Sequence, residues 1–150
     1  MNQQSSEFID TLLGKLFKLD GNTVVLKVED NITVDMRIAK DAIDGMLRCF
    51  PGEPFCLIAD CRAVISNAKL DALHYSAFHE ELNHFCRAQA IITDNLGILL
   101  MANFYASTIK KNKNVKLVKN MNEAQNWLNS NYREFIRSSS IPNNKADNIT

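Results

Sequence analysis

The segment of forty-one residues from Ala88 to Leu128 constrains the fold more than any other part of the chain. Ala88 to Ile92 (AQAII) is a short apolar run with the character of a covered strand, and Asn95 to Ile109 is apolar at helical spacing, with Leu96, Leu99, Leu100, Phe104 and Ile109 inward. A basic connector carrying Lys110, Lys111 and Lys113 leads to Val115–Val118, a fourth short strand of the parallel set or its edge. An amphipathic helix then opens at Asn122, its expected cap, and turns Ala124, Trp127 and Leu128 inward, with Phe135 continuing that face. Strand, helix, strand, helix in this order is a unit that lies on a parallel sheet. No reaction motif falls inside it.

Upstream, Leu12–Leu19 and Thr23–Glu29 flank Asp20-Gly21-Asn22, and Asp-Gly between β-rich runs tolerates the positive φ of a hairpin turn. From Ile32 the apolar positions change period to Ile32, Met36, Ala39, Ile43, Met46, Leu47 and Phe50. This predicts a helix with one buried face, capped by Thr33 with Asp35 in its first turn and stopped by Pro51-Gly52-Glu53-Pro54. Phe55–Ala59 (FCLIA) reads as a central strand covered on both faces. Leu70 to Phe85 predicts a second helix, with Leu70, Leu73, Ala77, Leu82 and Phe85 inward.

Seventeen basic and seventeen acidic residues cancel, which removes the general electrostatic argument for nucleic acid as a partner. A chain of 150 residues, 46% hydrophobic, matches one domain, here residues 1–137, followed by a polar, breaker-rich tail over 138–150. No apolar run approaches the length of a transmembrane helix. The start of the chain is polar, and Cys49, Cys56, Cys61 and Cys86 lie in or beside apolar segments, so the expectation is a cytoplasmic protein with reduced thiols.

The order of elements is β-β-α-β-α-β-α-β-α, an α/β fold with a mixed sheet, an N-terminal β-hairpin and four helices. In this order the chain resembles the STAS superfamily of anti-sigma-factor antagonists, and more closely its SpoIIAA-like branch of uncharacterised bacterial proteins. Three stretches carry the resemblance: TVVLKVEDNITVDMRIAKDAI, FCLIADCRAV and the Ala88–Leu128 segment, together spanning roughly residues 12 to 136. The resemblance implies a protein-interaction or regulatory module rather than an enzyme, and the third helix, apolar around more than one face, offers a surface for a homodimer. In antagonists of that family a serine or threonine in an Asp-Ser-(Ser/Thr)-Gly-like helix entry is regulatory. Here that stretch is Val64-Ile65-Ser66-Asn67-Ala68-Lys69, in which Ser66 is the only hydroxyl, without the preceding Asp or following Gly.

His79-Glu80-Glu81-Leu82-Asn83-His84 spaces its imidazoles by five, which turns them apart, and His74 with Glu81 makes only two ligands. Cys61 lies between Asp60, which opposes a thiolate, and Arg62, which favours one. Ligands of open α/β sheets bind beyond the carboxyl ends of the strands, where Asp60, Thr93 and Lys119 resemble the phosphoryl site of a response-regulator receiver. No acidic pair follows the first strand to hold a cation for that chemistry. Neither a G-x-G-x-x-G nor a G-K-(S/T) loop occurs, and the lysines at 110, 111, 113, 116 and 119 lack interleaved aromatics and arginine, so they read as a solvated connector, with acidic lipid headgroups as a weaker reading.

No cofactor is expected. The candidate regulatory or ligand edge is Asp60, Ser66, Thr93 and Lys119, and the candidate interface is Leu96, Leu100, Phe104 and Tyr105 on the third helix. Two other functions stand beside the interaction module. One is a carrier of a small apolar ligand or lipid; the other is an enzyme or phospho-acceptor using Cys61 or the strand-end edge.

Overall fold

The hairpin tip is the first element whose backbone is dictated by residue type. In the computed structural model, which describes residues 8–62, 67–94 and 114–140 and side chains as far as Tyr132, Gly21 and Asn22 take φ of 75° and 53°. They join β2 (Gly14–Leu19) to β3 (Thr23–Val28) in antiparallel register, Leu19 opposite Thr23. Asn22 also reaches across the sheet. Its Nδ2 donates to Glu53 Oε1 and the Pro54 carbonyl, both at 3.0 Å, and its own carbonyl accepts from Cys56 N at 2.9 Å.

The predicted first strand begins two residues late. Leu12 and Leu13 lie in a turn closed by Thr11, whose Oγ1 accepts from the N–H groups of Leu13 and Gly14. A two-residue strand, β1 (Ile9–Asp10), precedes that turn and pairs with β2. It is too short to show a period. Gly14 lies so close to the partner strand that a Cβ there would sit 2.0 Å from the Lys27 carbonyl oxygen.

α1 (Met36–Cys49) is capped by Asp35, whose Oδ1 accepts from Ile38 N at 2.9 Å. The expected cap, Thr33, belongs instead to β4 (Thr33–Val34), which pairs in parallel with β6 (Asn67–Ala68) as a small second sheet. A carboxylate satisfies a first-turn donor and favours the helix dipole, so Asp35 displaces threonine. β5 (Phe55–Asp60) is buried at every position, as its unbroken apolar run predicts.

The predicted second helix is two helices, α2 (Leu70–Ala77) and α3 (Glu80–Phe85). The break falls at Phe78 and His79, because the His79 side chain caps a new helix rather than continuing the old one. The inward positions shift accordingly. Ala72, Ala77 and Leu82 are buried, whereas Leu70, expected inside, is 61% exposed.

β7 (Cys86–Ile92) and β8 (Asn114–Val118) complete the large sheet, whose order is β1-β2-β3-β5-β7-β8. The first three strands are antiparallel; β3, β5, β7 and β8 are parallel. α4 (Met121–Ser140) follows, capped by Asn120 rather than Asn122: Asn120 Oδ1 accepts from Glu123 N at 2.8 Å, and Glu123 Oε1 accepts from Lys119 N at 3.0 Å. Residues 95–113, with the expected third helix, and 141–150, with most of the expected tail, lie outside the described residues.

Alternation along the strands divides the core between the two faces of the sheet. Leu16, Val24, Leu26 and Leu57 pack with Ala42, Ile43 and Met46 of α1 and Leu82 of α3. Val25, Cys56, Ile58, Ala88, Ala90 and Ile92 face the other way, against Ala124 and Leu128 of α4. Each large side chain removed from water here contributes ~1.5–3 kcal/mol, and the two alanines of β7 let α4 approach the sheet.

Candidate functional site

The carboxyl ends of β3, β5, β7 and β8 form one edge, and the expected residues Asp60, Thr93 and Lys119 are found there. Asp60 ends β5 with its side chain 4% exposed, opposite Lys27 of β3 and Ile92 of β7. Its carboxylate is fully engaged. Arg62 folds back to donate from Nε to Oδ1 at 2.9 Å and from Nη2 to Oδ2 at 2.8 Å, its backbone N–H reaches Oδ1 at 3.2 Å, and Lys27 Nζ lies 3.6 Å from Oδ2. The Arg62 side-chain bonds hold the Asp60 carboxyl below its ordinary range, against the opposing effect of burial.

Cys61 follows on the same strand end. Burial, with the Asp60 charge added, pushes its thiol up to about 12, so the neighbour that governs it is the carboxylate and not the guanidinium. A thiol of this kind is overwhelmingly protonated at neutral pH and a poor nucleophile. Thr93, just beyond β7, is 7% exposed and donates its N–H to the Val118 carbonyl at 3.2 Å. Lys119 is exposed beyond β8. The fourth expected member, Ser66, and the expected interface residues Leu96, Leu100, Phe104 and Tyr105 lie outside the described residues.

The three histidines do other work. His79 Nδ1 accepts from Leu82 N at 3.1 Å, and its ring lies edge-on to Tyr75 at 5.3 Å. His74 lies edge-on to Phe78 and His84 to Phe85. Among the described residues no three His, Cys, Asp or Glu side chains gather where they could hold a metal ion.

Among the described residues the two most exposed of the large apolar side chains, Leu70 at 61% and Phe78 at 63%, lie at the two ends of α2. With His74 they recur at i, i+4 and i+8, within roughly 80° around the helix axis. Ala72 and Ala77 on the inner side are buried, so α2 presents an apolar strip outward while its small residues pack inward. The sequence carried a signal for this. His79-Glu80-Glu81-Leu82 is a cap followed by acidic first-turn residues, and a helix restarting there no longer ties Leu70 to the face of Leu82 and Phe85.

An open depression of about 590 Å³ lies between α1 and α3, lined by Asp44, Leu47, Arg48, Pro51, Gly52 and Glu81. Its lining is half charged and its mouth is wide. It offers no enclosed apolar volume of the kind a carrier of a small apolar ligand requires.

A mixed sheet opened by a hairpin, with α1 to α3 on one face and α4 on the other, is a SpoIIAA-like α/β fold. The crystal structure of an uncharacterized protein from the DUF3478 family of Shewanella loihica PV-4, described as having a SpoIIAA-like fold, is similar to this chain with a TM-score of 0.52 and 12% sequence identity, covering 81% of this chain and 90% of that one. The chain belongs to the family DUF7793, a domain of unknown function whose model matches residues 17–132. No curated protein matches it. Among the described residues no helix is long and apolar enough to cross a membrane.

Proposed function

We propose that this protein is a non-catalytic regulatory module that works by docking a protein partner on the outer strip of α2. The observation that carries the reading is the exposure of Leu70 and Phe78 on one helix face. Monomeric surfaces scatter single apolar residues, but two large ones aligned with an aromatic histidine between them make a strip suited to contact. Its rim is acidic on balance: Asp71, Glu80 and Glu81 are exposed, against Lys69. The matching partner surface is an apolar ridge bordered by lysine or arginine. The closed Asp60–Arg62 pair and the protonated Cys61 support a structural rather than catalytic strand-end edge.

The experiment is site-specific photo-crosslinking in the cells of origin. A photoreactive residue at position 78 is compared with one at exposed Asn126 on α4, and the trapped protein is then purified and titrated against the unlabelled chain. Leu70→Ser and Phe78→Ser together are expected to weaken that binding more than tenfold. Undiminished binding by the double variant, or crosslinks from position 126 alone, refutes this surface. A second copy of this chain as the trapped species would place the expected homodimer on α2.

A further inference from the structure

We propose that the partner seated on the outer strip of α2 is a second copy of this chain, turned end for end about a two-fold axis that passes between the two His74 side chains. This rests on the docking strip proposed above and names what covers it. Leu70 and Phe78 stand four residues either side of His74, so the strip reads alike from both ends. At the rise of an α-helix each is about 6 Å along the axis from His74. Reversal therefore brings Leu70 of one copy onto Phe78 of the other, and Phe78 onto Leu70. Such reciprocal contact is what a two-fold interface requires.

The charges at the two ends of the strip are opposite. Lys69 precedes Leu70, and Glu80 and Glu81 follow Phe78 across the corner into α3; all three are exposed. Among the described residues none of the three takes part in an ion pair within the chain. Under the reversal Lys69, five residues before His74, comes opposite position 79 of the other copy, beside its Glu80 and Glu81. The same pairing forms at the other end. A parallel copy would set lysine against lysine and glutamate against glutamate, so the charges select the reversed orientation. Asp71, also exposed, lies about 9 Å along the axis from its counterpart and does not oppose it directly.

α2 is held from within. Ala72 and Ala77 are buried, Lys40 Nζ of α1 lies over the Tyr75 ring at 5.6 Å, and His79 lies edge-on to that ring at 5.3 Å. A strip fixed in this way needs little ordering before it meets a copy of itself. One helix face is nevertheless a small interface, so the dimer is weak, with a Kd of roughly 10–100 µM.

Sedimentation equilibrium of the intact chain tests this, with dimers expected in that range. Lys69→Glu alone, or Glu80→Lys together with Glu81→Lys, sets like charges together at both ends and weakens the dimer about tenfold or more. Lys69 makes no side-chain cap bond, so its replacement leaves the start of α2 as it is. An equimolar mixture of the two variants, one carrying a fluorophore so that the mixed species is counted, is expected to associate as the unsubstituted chain does, because opposite charges meet again at both ends. A variant that merely misfolds is not rescued by another chain. An unsubstituted chain that stays monomeric at about 500 µM, a mixture that associates no better than either variant alone, or a dimer that survives Leu70→Ser with Phe78→Ser overturns the inference. A monomeric chain that still crosslinks from position 78 to a different protein overturns self-pairing alone and leaves the docking strip in place.

Discussion

Replacing Arg62 with alanine isolates the strand-end ion pair and tests its energetic sign. The substitution removes the bonds from Nε at 2.9 Å and Nη2 at 2.8 Å, and leaves Asp60 the backbone N–H of residue 62 at 3.2 Å and Lys27 Nζ at 3.6 Å. Hydrogen bonds to a charged group contribute ~1.5–3 kcal/mol each. The full sum does not apply, because the Arg62 side chain is 42% exposed and its charge is screened by water. We expect a loss of about 2 kcal/mol at pH 7, or roughly 4–8 °C in Tm for a chain of this size. The loss depends on pH in a defined direction. Arg62 lowers the folded carboxyl of Asp60, so the stabilisation is complete above the unfolded carboxylate range, near pH ~4, and disappears as pH falls through the lowered folded value. The two proteins therefore keep a constant difference from pH 7 down to about pH 4 and converge in stability only below it. Urea unfolding followed by the fluorescence of Trp127, the single tryptophan, measures both quantities. A deficit below ~0.5 kcal/mol at pH 7, or one that stays constant on acidification below about pH 4, would refute the reasoning.

Two further perturbations address different parts of the chain. Gly14→Ala must push apart β2 and β3, since its Cβ meets a backbone oxygen and not a flexible side chain; a destabilisation above ~3 kcal/mol in the same urea assay is expected, and a loss under ~1 kcal/mol would show that the strands yield. Cys61 is expected to react with a neutral disulfide reagent at pH 7.5 at least a hundredfold more slowly than free cysteine, because its thiol is pushed up to about 12; a rate equal to that of free cysteine would reverse this view of the edge.

Elements whose identity depends on local pattern were legible before any coordinates. β5 follows from an unbroken apolar run, α1 from its three-and-four spacing, and the hairpin from Asp20-Gly21-Asn22. Both caps were displaced by two residues, to Asp35 and Asn120, because several nearby side chains could accept the same first-turn donors and geometry selects among them. The α2–α3 break was missed because an apolar pattern continues across Phe78 and His79 in phase with a single helix. The counter-signal, His79 as a cap with Glu80 and Glu81 in the first turn, is set against that continuous pattern.

The strand-end edge was legible as a place and not as a chemistry. Topology puts Asp60, Thr93 and Lys119 at the carboxyl ends of parallel strands whatever their contacts. That Asp60 faces Lys27 follows from the register of β3 against β5, a long-range property that no local window contains. The burial that raises the Cys61 thiol is likewise a property of the assembled sheet.

Asn22 has a consequence for how the chain avoids a wrong answer. A parallel strand pair has no connecting turn to set its alignment. By holding Pro54 through its side chain and Cys56 through its carbonyl, the hairpin tip indexes β5 at its first residues. Sliding by one position would exchange Phe55 and Leu57 with Cys56 and Ile58 between the two helical layers. One layer is cut for bulky residues of α1, the other for the close approach of α4 over alanines, so neither accepts the other's side chains. An asparagine on a surface turn thereby acts as the datum from which both interiors are measured.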